Sequence, residues 1–254
     1  RNTETPLTDV ELKYCENDIL VILAYIDEQI EQYKDITKIP LTNTGRVRSY
    51  VRNNCYYDNA NHRKSNKGKY NRYRKIMSDL TIDLKSYVQL KTAFMGGFTH
   101  SNPKLTGFTL DNVGSIDLTS SYPSAMCAEM YPMSRPKLLT PNSYAELKEL
   151  MNLYCIVLDV KYVGLKNTLG YESYISESKC RNIKGATINN GRIWEADELE
   201  ITLTDVDINI IEKVYAWDKI ALQNVRGFRK AYLPKSIIES ILNLYQDKTT
   251  LKGV

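Results

Sequence analysis

Apolar positions along this chain recur with two different periods, and the switch between them lays out its elements. Leu12, Ile19, Leu23, Ile26 and Ile30 fall at helical spacing. Thr8-Asp-Val-Glu11 stands ahead of them in capping-box form, where the Thr hydroxyl and the Glu carboxylate each serve a free N–H at the other's position. A long helix is therefore predicted from there to about Lys34. Tyr14 and Asp18 are four apart and share one of its faces. A polar, basic stretch follows to about Lys75, read as short helices and loops, while Ile76 to Lys91 has mixed periodicity and takes no assignment. Phe94-Met-Gly-Gly-Phe98 reads as a turn before the Asn102-Pro103 and Thr106-Gly107 breaks. The apolar segment Val113-Gly-Ser-Ile116 reads as a buried strand. Pro123 then opens a helix through Ala125, Met126 and Ala128.

The second half is richer in β-formers. Pro132, Pro136 and Pro141 interrupt the chain before a short helix from Ser143 to Met151. Tyr154 to Val163 should be a strand, and residues 164–193 should be hairpins, with a strong turn signal at Asn190-Gly191. Glu200 to Leu203 is a further strand. Thr204 caps a helix carrying Ile208, Ile211 and Val214 or Tyr215, and Trp217 to Phe228 reads as strand. Pro234 begins a last helix with Ile237, Ile238, Ile241, Leu242 and Tyr245 on its buried side. No internal repeat is visible. Helices and strands mix without strict alternation, which predicts an α+β layer fold.

At 254 residues, with 43% hydrophobic and 25% charged residues, the chain can bury a core as one large domain or two smaller ones. No apolar run reaches membrane-spanning length, and Arg1 to Pro6 lacks a signal-peptide pattern, so a cytoplasmic location is expected. The first residue is not Met, so the true N-terminus is expected upstream. The five cysteines are odd in number, scattered and without a C-x-x-C pair, which argues against a zinc site or a disulfide framework.

The net charge of +4 is unevenly spread. Ten Lys or Arg residues lie between Arg46 and Lys75, among them Arg48, Arg52, Arg63 and Lys64, against one acid, Asp58. Tyr50, Tyr56, Tyr57, Tyr70 and Tyr73 are interleaved with them. Cations neutralise phosphates and tyrosine rings stack on unpaired bases, so this is either a single-strand nucleic-acid surface or a solvated basic loop.

Asp117-Leu-Thr-Ser-Ser-Tyr-Pro-Ser124 carries the most specific chemistry. A carboxylate placed at a strand end, ahead of a tight turn and a helix start, suits metal-assisted phosphate chemistry. The string resembles motif A of family B DNA polymerases, D-x-x-S-x-Y-P-S. The resemblance implies that Asp117 is catalytic and binds both metal ions, Mg²⁺ or Mn²⁺, with the carbonyl of Leu118 helping to hold one of them. It implies that Ser120 and Ser121 offer N–H groups near the triphosphate. Tyr122 would lie under the incoming sugar and exclude a 2′-hydroxyl by crowding.

Softer motifs extend the likeness over nearly the whole chain. Tyr14-Cys-Glu-Asn-Asp18 resembles the third exonuclease motif, Y-x-x-x-D, in which the aspartate holds a metal and the tyrosine orients water. Phe94-Met-Gly-Gly-Phe98 is similar to the Y-x-G-G segment that touches template backbone, here through Gly96 and Gly97. Phe94 departs from the family's Tyr. The stretch from Leu203 through Gly227-Phe228 to Gly253 resembles the segment between motifs A and B of protein-primed phage polymerases, which implies a nucleotide or primer contact for Lys248. Residues 134–196 sit where those enzymes carry an insertion that grips a priming terminal protein or the upstream duplex.

The expectation is thus a polymerase fragment of α+β class. A helical exonuclease-domain remnant with a basic connector (1–92) would precede palm with motif A (93–133), a β-rich insertion (134–196) and palm continuation (197–254), the palm sheet being antiparallel. Expected partners are template and primer DNA, dNTP, a terminal protein and the remainder of the polymerase, and host cytoplasm would be the location of a phage enzyme. Two exonuclease motifs would precede Arg1, and motifs B and C would follow Val254, leaving this chain catalytically incomplete. A non-catalytic single-strand-binding module is the alternative; a stand-alone metal-dependent nuclease using Asp18 is a third reading.

Overall fold

Side-chain caps start four of the described α-helices, and an antiparallel sheet supplies the core. The computed structural model describes residues 6–56, 67–99, 105–170 and 172–251. Two compact units divide it, Arg1–Asn54 and Cys55–Val254.

In the first unit, α1 (Asp9–Tyr33) begins at the expected box: Thr8 Oγ1 accepts from the Glu11 N–H at 3.4 Å, and Glu11 Oε2 accepts from the Thr8 N–H at 2.8 Å. Lys34 closes the helix in the left-handed region (φ 57°), with its N–H on the Ile30 carbonyl. The stripe from Leu12 to Ile30 exists but is exposed, and Gln29 is the buried residue of α1. A helical period marks a face to be covered and does not supply the cover. The 3₁₀ turn Ile36–Lys38 and the start of α2 (Asn43–Tyr56) are too small to bury 25 residues of helix.

The second unit is built on an antiparallel sheet. Its helices are α3 (Lys67–Asp79), α4 (Leu84–Ala93), α5 (Ser121–Ala128), α6 (Tyr144–Leu153), α7 (Asp205–Val214) and α8 (Lys235–Leu251). Its strands are β1 (Tyr131–Pro132), β2 (Lys137–Leu138), β3 (Tyr154–Asn167), β4 (Cys180–Lys184), β5 (Thr187–Asn189), β6 (Arg192–Thr204), β7 (Tyr215–Ala216) and β8 (Lys219–Ala231). The order is β1-β8-β3-β6-β4, with β2 on β8, β5 on β6 and β7 on β3. The α+β architecture with an antiparallel sheet is the one expected. The 196–197 division drawn from the sequence falls inside β6, and β8 pairs with β3 along most of its length.

Period-two alternation explains the core. Ile156, Leu158, Val160 and Tyr162 of β3 point to one face, opposite Leu199, Ile201 and Leu203 of β6, and α6 and α7 cover them with Leu147, Met151, Ile208 and Ile211. The opposite face buries Val157 and Phe228 with Ala93 of α4. Beyond α4 it turns polar, where Asp159 accepts from Thr202 Oγ1 at 2.6 Å and Asn224 Nδ2 at 2.7 Å. Asn190 (φ 49°) and Gly191 (φ 68°) make the β5–β6 turn, as their pairing in a two-residue hairpin requires. Thr204 and Asp207 form a second capping box at α7.

The unassigned stretch 76–91 is the end of α3, a break, and α4, which starts where Asp83 accepts from the Ser86 N–H at 2.9 Å. Along α8, Leu242 is exposed whereas Ser240 is buried and donates to the Ser236 carbonyl at 2.7 Å. Ile237, Ile238, Ile241 and Tyr245 are half-buried on the expected face, and Ser240 stands about 200° of helix turn from Leu242. No helix among the described residues is long and apolar enough to cross a membrane.

The same burial governs the thiols. Cys180 donates to the Ser176 carbonyl at 3.3 Å, and burial pushes its pKa from the ordinary 9.0 to about 12. Its thiolate fraction at pH 8 is then about 1,000-fold below that of an ordinary thiol. Alkylation of the native chain at pH 8, read by peptide mass spectrometry, should label exposed Cys15 and leave Cys180 unmodified on the same timescale; comparable labelling of both would contradict the burial.

Candidate active site

The segment before Asp117 is the main departure from the sequence reading. Residues 113–118 form no strand, and Val113, Ile116 and Leu118 are exposed, Ile116 at 95%. A strand needs a neighbour for its N–H and C=O groups, and none of the described strands pairs with this segment. Asp117 is accordingly exposed rather than held at the tip of a buried strand.

The helix behind it forms as expected, two residues earlier than Pro123. Ser120 is its N-cap in the left-handed region (φ 51°), with no side-chain cap bond, and its hydroxyl oxygen is buried without a partner. The Ser120 carbonyl receives the Ser124 N–H at 3.0 Å. Pro123 sits in the first turn, where a missing N–H costs nothing. The N–H groups of Ser121 and Tyr122 have no carbonyl one turn back, so they carry the positive end of the helix dipole toward the Asp117 side. Tyr122 is 82% exposed, which excludes a core role for its ring within the described chain.

α8 packs against α5, so the element bearing Lys248 lies beside the motif helix, with Lys248 itself exposed. No group of three or more His, Cys, Asp or Glu side chains that would hold a metal is present among the described residues. Asp117 and Asp18 are each single carboxylates in this respect. Tyr14 and Asp18 are both exposed on α1. A cavity of about 920 Å³ lies at the C-terminal end of α5, lined by Ala128 to Pro132, Cys155, Asp205 and Lys230 among others, and Asp117 is not on its wall. Burial raises the Asp205 carboxyl there, opposed by the Ile156 N–H and by Lys230.

The family model for DNA polymerase type B, organellar and viral, matches residues 1–244. The chain belongs to this family. Its fold is similar to phi29 DNA polymerase complexed with primer-template DNA, at 16% identity and a TM-score of 0.57, covering 99% of this chain and 38% of that one. It is equally similar to phi29 DNA polymerase in a ternary complex with primer-template DNA and incoming nucleotide substrates, at 18% identity and a TM-score of 0.57, covering 98% and 39%. The chain thus spans under two fifths of those polymerases' length. No curated protein matches.

In this type B polymerase chain the Phe94–Phe98 segment follows directly from α4, whose C-cap is Phe94. Gly96 and Gly97 have no positive φ, and a Cβ built on either meets nothing within 4 Å. Neither glycine is therefore required by the chain's own packing. The segment borders a cavity of about 190 Å³ shared with Tyr174, Ser176, Ser178, Lys179 and Arg192. Arg192 lies 4.7 Å over the Phe98 ring and donates to the Tyr174 carbonyl at 2.9 Å. Arg192 and Lys179 were not singled out in the sequence, because their contacts join segments far apart along the chain.

The basic region divides. Arg46 is engaged within its own unit: it donates to Tyr25 Oη and stacks 4.6 Å over that ring. Arg48 and Arg52 are exposed on α2. Arg72, Arg74 and Lys75 are exposed on α3, which is anchored by buried Tyr73. Arg63 and Lys64 lie outside the described residues.

Proposed function

We propose that this chain is part of a DNA-directed DNA polymerase that adds dNTPs to a primer 3′-hydroxyl, Asp117 being a metal-binding catalytic residue. The observation that carries the reading is an exposed Asp117 three residues ahead of the cap of α5, a helix whose first N–H groups are those of Ser121 and Tyr122, in a chain of the type B family. The Asp117 carboxylate and the Leu118 carbonyl are hard oxygen donors of the kind Mg²⁺ or Mn²⁺ takes. When bound, such ions activate the attacking hydroxyl and stabilise the leaving oxygen. Around that chemistry the chain's own groups bind and orient. Ser120 and Ser121 receive the triphosphate, Tyr122 stacks under the sugar, and Lys248 contacts nucleotide or primer phosphate. Gly96 and Gly97 let template backbone approach.

In the same reading, residues 1–92 contribute Tyr14 and Asp18 to a 3′–5′ exonuclease. Arg46, Arg48, Arg52, Arg63 and Lys64 track DNA, and residues 134–196 meet a terminal protein or the duplex. The polymerase would act in the host cytoplasm of a phage-infected cell.

The second reading, a non-catalytic single-strand-binding module, is favoured by the exposed cations of α2 and α3. Sugar discrimination separates the two. In an intact polymerase carrying this chain, Tyr122→Ala should raise ribonucleotide incorporation relative to dNTP by about tenfold or more, the scale one steric contact supplies. An unchanged ratio would count against the polymerase reading.

A further inference from the structure

The cations that the sequence singled out are not the best-organised ones. A cleft of about 630 Å³ lies at the C-terminal end of α3, and Arg135, Lys137 and Arg229 line it with Asp79 as the one acid on its wall. Arg135 donates to the Ser78 carbonyl at 3.1 Å and Arg229 to the Met133 carbonyl at 3.2 Å. Ser134 Oγ accepts the Arg229 backbone N–H at 2.9 Å. Both guanidinium groups are thus positioned by carbonyls that fix their direction; the Ser78 carbonyl belongs to the negative end of α3 and offsets part of the Arg135 charge, without a full countercharge on either group. Neither they nor Lys137 form an ion pair with a described carboxylate.

The positive surface continues along α3. Arg72 and Lys75 are seven and four residues before Asp79, so they share its helix face, and both are exposed. From Arg72 to Asp79 the helix rises about 10 Å, some three times the 3.4 Å rise per nucleotide of one strand. A point anion would leave most of this lane unused; a strand of phosphodiesters matches it.

We propose that Arg135, Lys137 and Arg229, extended by Arg72 and Lys75, form a binding track for the phosphate backbone of DNA. This deepens the polymerase reading and rests on it only for the identity of the polyanion.

The test is fluorescence anisotropy of this chain with a labelled primer-template duplex from 50 to 200 mM salt, without Mg²⁺ or dNTP. Each cation lost should weaken binding about eightfold at 0.1 M salt and flatten the log–log salt slope by about 0.9. Lys137→Ala removes a charge with no structural bond. Arg135→Gln combined with it should weaken binding about 60-fold and flatten the slope by about 1.8, and Arg135→Lys should recover most of its share. Lys219→Ala, at the opposite end of β8, is the equal-charge control and should change neither quantity. The proposal is overturned if Lys137→Ala and the double variant bind with the parent's affinity and slope, if Lys219→Ala loses as much, or if the parent chain does not bind the duplex. Inorganic triphosphate should compete only at concentrations far above the duplex; equal competition would mean a site for free phosphate and overturn the track. Because no catalysis is read, failure here leaves the role of Asp117 standing. Loss of that role in primer extension would leave the salt slopes as they are.

Discussion

Primer extension by an intact polymerase carrying Asp117→Ala should fall at least about 1,000-fold while its DNA affinity stays within about twofold. The asymmetry follows from what Asp117 touches. It is exposed, and no described group of three acids surrounds it, so its removal disturbs no packed or hydrogen-bonded partner. A carboxylate whose work is to hold cations on transferring oxygens supplies several kcal/mol to the transition state, and each 1.36 kcal/mol is about tenfold in rate. In the proposed reading, duplex affinity is set by cations elsewhere. The isolated 254-residue chain should give no extension above background with Mg²⁺, because one carboxylate does not position two divalent ions. Robust synthesis by the isolated chain, or by the Asp117→Ala polymerase, would remove Asp117 from the chemistry.

What the sequence made legible is what neighbouring residues decide. Thr8 with Glu11, and Thr204 ahead of its helix, name their own hydrogen-bond partners within one turn, and both helix starts fall where expected. β3 alternates from Leu158 to Val163 because one face meets α6 and α7, and Asn190-Gly191 sets a turn by its own backbone preferences. Val113 to Ile116 shows the opposite case: apolar composition proposed a strand, but pairing is a property of a second segment, and none of the described strands provides it. The candidate site divides along the same line. Asp117 to Ser124 is contiguous and was readable as a string, and the α5 helix followed. Arg192 over Phe98, or Arg229 near Arg135, joins residues about 95 positions apart, and no local pattern announces such pairs.

That distinction has a thermodynamic form. Leu158→Ala should destabilise the second unit by about 3–5 kcal/mol, whereas Leu242→Ala should cost under about 0.5 kcal/mol. Both leucines fall in elements predicted from the sequence, yet Leu158 is 0% exposed and Leu242 is 53% exposed. Leu158 lies on the central strand, opposite Leu203 of β6 and facing the layer of α6 and α7. β3 is paired with β6 at Leu158 itself and with β8 at Val157 and Asp159 on either side of a register shift, so the backbone moves in little and most of the cavity remains open. The upper part of the usual range for a buried Leu-to-Ala change applies for that reason. Urea titration should show the Leu158→Ala midpoint lowered at constant m-value, with Leu242→Ala close to the parent. A loss below about 1 kcal/mol at Leu158 would mean that the β3 layer is not the close-packed centre of the fold. An equal loss at Leu242 would mean that this residue is buried along with the rest of the face the sequence assigned to α8.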